Sequence, residues 1–513
     1  MDQYGRPECL PGTRVDVLNF ITTWATNSGS EHNVLWLHGV AGSGKSTLST
    51  TVANLFDDTN RLGAFIFFNR NVDERSNPAI VIRTLAHKLG CFDGRIGDAL
   101  ASVIEHNSAI VEGPLNVQFK KLLLEPLRKL ENLHFEGPIV VVFDAFDECG
   151  GIKERKLLLK VLAEESAKLP RFLRIIITSR SEHDIRHFFE SRGHILSYRL
   201  NINSELVRKD IESFLRHRMA EIRSENSTLL SVDWPGESRL CTLAERASGL
   251  FVWASTACNF IDAYDPEQRL SIVLQADIGS DAESALDSLY VTALRSAGHW
   301  EDPGFGADFR AIVGTLLVVR NPLSLAALNK LLSIGGQRPP SHAISRLGCV
   351  LYSNAIIRIL HPSFADFLSN QIRCQCDTWF IDMTSHNLRV ARFCLDRMDS
   401  YLRYNVCNLE LSTTADTTLP EDVAYVCDFW VEHICIIEDA ASIADRLETF
   451  LFKHLMHWFE AMSILKRSRK TIDLMRRLRG WHAVRQRLFS CWSFTRLISC
   501  RLLYQIRPVR MSW

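Results

Sequence analysis

A chain of 513 residues that is 46% hydrophobic and 23% charged has the composition of folded protein and the length of about three domains, which excludes a disordered or collagen-like chain. No run approaches the roughly 20 apolar residues that span a bilayer, and the opening Met1-Asp2-Gln3-Tyr4-Gly5-Arg6 lacks the apolar stretch of a signal peptide, so a cytoplasmic protein without a membrane span is expected. Acids and bases balance at 59 each, yet Lys466 to Trp513 holds 13 Lys/Arg against the single acid Asp473, leaving the rest of the chain acidic. The 14 cysteines lie between Cys9 and Cys500 without C-x-x-C spacing, which argues against a zinc ribbon and for reduced thiols.

Cys9-Leu-Pro-Gly-Thr-Arg14 is turn-rich and leads into an amphipathic helix carrying Val15, Val17, Leu18, Ile21 and Trp24. Asn33 to His38 reads as a buried strand. It runs into Gly39-Val40-Ala41-Gly42-Ser43-Gly44-Lys45-Ser46, the G-x-x-x-x-G-K-[ST] pattern of a phosphate-binding loop. Leu48, Val52, Leu55 and Phe56 then follow at helical spacing. Strand, glycine-rich loop and helix in this order aim backbone N–H groups and a helix N-terminus at one anion. Lys45 is expected on the β- and γ-phosphates and Ser46 on Mg²⁺, with Thr47 closing the loop.

Ala64 to Phe68 is a further strand, and Ser76-Asn-Pro78 starts a helix over Ala79 to Leu89. Leu115 to Leu130 reads as a helix in which Pro126 marks a break or kink. Pro138 to Phe143 is apolar on both faces, as a central strand of a covered parallel sheet must be, and it ends in Asp144-Ala145-Phe146-Asp147-Glu148. A helix over Lys153 to Lys168 leads to a second central strand, Arg174 to Thr178, ending at Ser179-Arg180, and Ile195 to Leu200 completes the sheet. The fold class is therefore α/β, with polar residues delivered to the strand ends where such sheets bind ligands. Asp144 stands where the Mg²⁺ site needs an acid, and Asp147 and Glu148 are placed to orient or activate a water. Arg180 either senses the γ-phosphate or binds a nearby carboxylate. No Asn-Lys-x-Asp guanine signature occurs, which favours ATP over GTP.

Beyond Ser204 the pattern turns helical, at Glu205 to Ala220, Glu237 to Ser248 and Leu250 to Ile261, with a polar, less periodic stretch over Asp265 to Ala282. Short helices are expected at Leu286 to Ala297, Phe309 to Val319, Ser324 to Leu332 and Ser341 to Leu347. A hairpin of Val350 to Tyr352 with Ala355 to Leu360 follows, and then a helix from Ser363 to Leu368. Leu388 to Leu402, Pro420 to His433, Ile443 to His457 and Thr471 to Leu478 continue as a helical array without a regular repeat. His454 and His457 have the spacing of a metal pair, but Leu455, Trp458 and Phe459 favour packing, and no metal beyond Mg²⁺ is expected.

Gly39 to Ser46, Asp144 to Glu148 and Thr178-Ser-Arg180 together resemble the NACHT class of signal-transduction ATPases with numerous domains (STAND), in which a small residue, here Ala145, follows the Mg²⁺-site Asp. Cys9 to Arg14, Gly249-Leu-Phe-Val-Trp-Ala254, Leu360-His-Pro-Ser-Phe-Ala-Asp-Phe-Leu368 and His457-Trp-Phe-Glu-Ala461 resemble its mushroom-forming fungal branch. The resemblance implies a lead-in helix (1–30), a NACHT P-loop NTPase domain (31–202), a helical domain (203–284), a winged helix (285–372), a helical extension (373–481) and a basic tail (482–513). It also implies that Thr13 and Arg14 belong to the nucleotide site and that His361 contacts the β-phosphate of ADP in a closed resting state. Such proteins usually carry an effector region before the ATPase and sensing repeats after it, and neither is expected within these 513 residues.

The function implied is an ATP/ADP-dependent signalling switch with slow hydrolysis, in fungal non-self recognition or innate immunity, with protein partners and conditional homo-oligomerisation. Nucleic acid is not an expected partner. Two other readings stay open at this point: a turnover ATPase working on nucleic acid or protein, and a nucleotide-bound scaffold that does not cycle.

Overall fold

The computed structural model describes residues 6–27, 29–131, 137–190, 192–263, 265–277, 279–298, 300–332, 347–353, 356–407 and 418–485. It divides into two compact units. The first comprises Met1–Ser296 with the short segments Gly348–Val350 and Leu360–Phe364, and the second takes in the remainder.

In the first unit, helix α1 (Val15–Thr26) precedes strand β1 (Val34–His38), helix α2 (Lys45–Asp57), strand β2 (Leu62–Phe67) and helices α3 (Val81–Phe92) and α4 (Gly94–His106). Strand β3 (Ile139–Asp144), helix α5 (Ile152–Glu165), strand β4 (Leu173–Ser179), helix α6 (His183–Phe189) and strand β5 (Ile195–Arg199) complete an α/β arrangement. The five strands are all parallel, as the sequence led us to expect, and lie in the order β2-β3-β4-β1-β5.

Strand side chains alternate between two cores, because successive residues of a strand point to opposite faces. Trp36, Ile66, Val141, Phe143, Ile175 and Ile177 face a core shared with Leu85, Leu89, Leu158 and Leu162 of α3 and α5. Leu35, Leu37, Phe65, Val140, Val142 and Ile176 face the opposite core, with Val17, Ile21, Leu48 and Val52 of α1 and α2. Both faces are covered, so β3 and β4 read as unbroken apolar runs. The lone cation within them, Arg174, is buried and donates to the carbonyl oxygens of His32 (2.6 Å) and Asn27 (2.7 Å).

The kink expected at Pro126 is a π turn over Phe119–Leu124, between short α-helical pieces at Leu115–Gln118 and Glu125–Lys129. A widened turn accommodates the ring and missing N–H of a proline two residues on. Helices α7 (Glu205–Glu225), α8 (Glu237–Arg246), α9 (Phe251–Ile261), α10 (Pro266–Gln275) and α11 (Ala282–Ala297) follow. Helix α10 corrects the reading of 265–282 as irregular. Asp265 caps it by accepting from the Gln268 N–H, with Pro266 in its first turn, a start signal that the polar composition obscured.

The second unit holds α12 (Pro303–Val318), strand β6 (Leu323–Ser324), α13 (Leu325–Leu332), and the antiparallel strands β7 (Leu351–Ser353) and β8 (Ile356–Ile359). The hairpin expected here is present, and β6 adds a third strand in the order β6-β8-β7. Residues 341–346 of the helix expected over Ser341 to Leu347, and 486–513 of the basic tail, lie outside the described residues. After α14 (Pro362–Leu368) come α15 (Met383–Tyr401), α16 (Glu421–Ile436), α17 (Ala444–Lys453), α18 (Leu455–Ile464) and α19 (Ser468–Arg485).

The single helix expected over Ile443 to His457 is two, with His454 (φ −120°, ψ −1°) at the bend. The bonds from His454 N–H to the Phe450 carbonyl and from Trp458 N–H to the His454 carbonyl persist at 2.8 Å. The apolar stripe Leu447, Leu451, Leu455, Trp458, Met462 therefore runs through the bend, and periodicity gave no sign of it.

Helix α16 is the hub of this unit. It buries Trp430 and Phe429 together with Asp422, Asp428 and Glu432. Asp422 meets Lys330 and Arg397 (2.8 Å each), Asp428 meets Arg467, and Glu432 lies between Lys470 (3.6 Å) and Arg477 (3.9 Å). Part of the basic excess after Lys466 thus answers buried acids on α16. Twelve cysteines among the described residues are free thiols, including the buried Cys149, Cys258, Cys394 and Cys427. Among the described residues, no helix is long and apolar enough to cross a membrane.

Candidate nucleotide site

The loop from Gly39 to Gly44 joins β1 to α2 across the C-terminal end of the sheet. Gly42 (φ 78°) and Gly44 (φ 90°) adopt left-handed backbone, open to glycine at no steric cost. A Cβ on Gly42 would lie 2.0 Å from Val252 Cγ1, and the Val252 N–H donates to the Gly42 carbonyl (3.2 Å). Helix α9 is therefore seated directly on the loop. Ser43 is fully buried, donating its hydroxyl to the Val40 carbonyl (2.9 Å) while its own carbonyl accepts from Arg14 (2.6 Å).

Arg14 also lies over the Phe251 ring (4.8 Å), and burial lowers its pKa. It thus braces loop and α9 together, while the Thr13 hydroxyl closes its own turn on the Leu10 carbonyl (2.7 Å). Lys45 Nζ donates to the carbonyl oxygens of Gly39 (2.9 Å) and Val40 (2.7 Å). Burial pushes its ammonium down to about 8, with Asp147 acting in the opposite direction. Ser46 and Thr47 occupy the first turn of α2, their N–H groups among those a helix N-terminus leaves unpaired. Val40 and Ala41 lie on the loop between the glycines.

Asp144 is fully buried at the end of β3. Its Oδ1 accepts from Ser49 (3.0 Å) and Thr178 (2.7 Å), and its Oδ2 from the Arg6 guanidinium (2.9 Å). A carboxylate oriented by two hydroxyls, with its other oxygen already facing a cation, together with the Ser46 hydroxyl, is the hard oxygen donor set that Mg²⁺ takes.

Ala145 turns the chain with φ 56° and donates its N–H to Thr178 Oγ1 (3.1 Å). A single 3₁₀ turn then brings up Asp147 and Glu148. Asp147 is paired with Arg180, through the Arg180 backbone N–H (2.9 Å) and Nε (3.3 Å). Of the two roles open to Arg180, this structure contains the carboxylate contact. Glu148 accepts from the Arg70 N–H (3.2 Å), and burial raises its pKa.

Arg155 of α5, almost wholly buried, donates to the Asp147 carbonyl (2.6 Å) and grips Asp184 (2.7 and 2.8 Å) and Glu182. It ties the loop after β3 to the loop after β4. His361 lies apart in sequence, in the Leu360–Phe364 segment that groups with the first unit. Its Nδ1 accepts from the Ser363 N–H (3.1 Å) and meets the Ser363 hydroxyl (2.6 Å), which in turn meets Tyr290 (2.7 Å). An accepting Nδ1 places the neutral ring's proton on Nε2.

The sequence model of the family described as Nephrocystin 3, N-terminal, matches residues 17–180, from α1 through Arg180. This segment is a NACHT-like P-loop NTPase domain. No match was found among curated proteins. Among solved structures, the chain is similar to a STAND protein with a tetratricopeptide repeat sensor from Pyrococcus horikoshii, with 13% identity, 94% of this chain covered and a TM-score of 0.45. The chain spans 59% of that protein's length.

It is also similar to the Drosophila ORC bound to DNA (13% identity, 67% of this chain and 91% of that one, TM-score 0.30). A third similar structure is Cdc6p from Pyrobaculum aerophilum (13% identity, 70% and 93%, TM-score 0.29). The fungal branch of the resemblance has no support here. The expectation that nucleic acid is not a partner has none either.

Several residues of the NACHT-like domain's site went unmarked in the sequence. Ser49 follows Ser46 by one turn and could have been found by helical spacing. Arg6, Arg70 and Arg155 reach the site from segments without a motif. Val252 belongs to a stretch noted for its resemblance but given no place beside the loop.

Proposed function

We propose that this chain is an ATP/ADP-dependent switch that hydrolyses ATP slowly. The observation that carries the reading is the gathering of Lys45, Asp144, Asp147, Glu148 and Arg180 at the ends of β1, β3 and β4, behind a glycine loop of the right conformation. In this reading Gly39 to Thr47 cradle the phosphates and Lys45 holds the β- and γ-oxygens. Ser46 and Asp144 hold Mg²⁺, which neutralises charge on the transferring group.

Glu148, with its raised pKa, is the base for water. Asp147 keeps Arg180 beside it until the γ-phosphate competes for the guanidinium. Thr13 and Arg14 support the nucleotide side of the loop. Residues 203–284 act as the helical domain, 285–372 as a winged helix and 373–481 as the helical extension. His361 serves as the latch on ADP, Nε2 toward the phosphate. A ligand can drive such a switch only by binding one state more tightly than the other. The open state is the form that homo-oligomerises and meets protein partners. A role in fungal defence rests on sequence resemblance alone.

The test is the nucleotide that co-purifies with the full chain. ADP in the wild type, lost on His361→Ala and on Lys45→Ala, with ATP turnover below about one per second, is the expected outcome. Sustained, substrate-stimulated turnover well above that rate would overturn the switch reading. ADP retained by His361→Ala would remove the latch.

A further inference from the structure

We propose that Arg6 is a built-in cation of the nucleotide site that competes with Mg²⁺ for Asp144. The inference rests on the reading of this site as one for a nucleotide and Mg²⁺. Asp144 is fully buried, and a buried carboxylate needs a counter-charge. In this structure that charge is the Arg6 guanidinium, 2.9 Å from Oδ2, while Oδ1 is committed to the hydroxyls of Ser49 and Thr178. The guanidinium lies over the Phe67 ring at 3.8 Å and near Phe65 at 5.4 Å, so it is held on its face as well as at its edge.

A second feature shows a site built for more than this pair. Arg6 Nη1 is buried and has no hydrogen-bond partner, an arrangement that costs stability and that a surface ion pair would not carry. The group is therefore placed for its charge rather than for a complete set of hydrogen bonds.

Mg²⁺ and Arg6 both need the outward oxygen of Asp144, and two cations drawn to one carboxylate repel each other. Mg²⁺ arriving with the nucleotide therefore displaces Arg6. The displacement is local. Beyond Arg6 the chain is pinned again at Cys9, whose N–H donates to Thr51 Oγ1 of α2 (2.8 Å), and at Arg14 on the loop. Residues 6–8 thus form an arm whose position reports whether Mg²⁺ is bound.

The experiment titrates Mg²⁺ into the full chain with a fluorescent ADP analogue, comparing wild type, Arg6→Gln, Arg6→Lys and Lys45→Ala. Arg6→Gln is expected to lower the Mg²⁺ concentration that gives half of the binding effect by about tenfold. Arg6→Lys should fall between it and the wild type, and affinity in Mg²⁺-free buffer should stay within about twofold. An unchanged Mg²⁺ midpoint in Arg6→Gln overturns the inference. So does a loss of Mg²⁺-free affinity, which would make Arg6 a phosphate ligand instead. Wild type that binds no analogue, like Lys45→Ala, overturns the nucleotide reading itself and this inference with it.

Discussion

At the scale of single residues the site is a set of charges held away from their ordinary chemistry. Lys45 has an ammonium pKa of about 8, lowered by burial, so it is only partly protonated at pH 8.5. A bound polyphosphate favours the charged form and raises that pKa. Nucleotide binding should therefore take up close to one proton at pH 8.5 and almost none at pH 6.5, and affinity should fall as pH rises through about 8. Calorimetry in two buffers of different ionisation enthalpy checks this: the measured enthalpies of the wild type should diverge at pH 8.5 and coincide at pH 6.5, and enthalpies that coincide at both would mean that Lys45 takes up no proton.

Lys45 was legible in the sequence through the spacing of the glycine-rich motif, and Asp144 through its place at the end of an apolar strand. Arg6 was not legible, since its partner Asp144 lies 138 positions away. A charge that pairs across such a distance leaves no periodic trace. The pairing of Arg180 with Asp147, one of two alternatives in the sequence, needed coordinates to be seen.

At the scale of elements, the loops after β3 and β4 are joined by Arg155 into one body. Replacing it with Met would strip Asp184 and Glu182 of their counter-charge and the Asp147 carbonyl of its donor. The expected cost to the first unit is roughly 2–4 kcal/mol, below the full value for breaking a buried pair because Glu182 stays partly exposed. Arg155→Lys should recover part of it. Urea midpoints of the three proteins test this, and equal midpoints would mean that the bridge carries no stability.

Elements themselves were readable where one physical rule dominated. Strands covered on both faces must be continuously apolar, so β3 and β4 stood out. Helix α10 was overlooked because half of its surface is polar, and the bend at His454 because the apolar stripe crosses it. The additional strand β6 is two residues long, too short for any alternation to appear.

At the scale of the whole molecule, the second unit carries a sensitivity to acid of its own. In the second unit, His433 is fully buried and neutral. Its Nδ1 faces the Asn387 carbonyl oxygen (3.0 Å), and its Nε2 meets the Tyr425 hydroxyl (2.8 Å), which also accepts from the Arg320 N–H (3.2 Å). Burial first, and Arg320 second, push its pKa down to about 3. A histidine with a folded pKa below its unfolded value of about 6.5 contributes stability that is complete above that pH and lost as pH falls toward 3, at about 1.4 kcal/mol per pH unit. His386, half-buried and pushed down to about 4, adds in the same direction. Melting temperature should therefore drop between pH 6.5 and 5, with a shallower slope in His433→Phe, and parallel slopes would show that His433 does not carry the effect.

The buried thiols give each unit a private reporter of opening. Cys149 and Cys258 lie in the first unit and Cys394 and Cys427 in the second, and burial raises the pKa of all four, which keeps them from reacting as thiolates. A thiol-alkylating pulse followed by peptide mass spectrometry would consequently time-stamp the loosening of each unit independently in a single unlabelled sample, without a tag, a mutation or knowledge of the ligand that sets the molecule in motion.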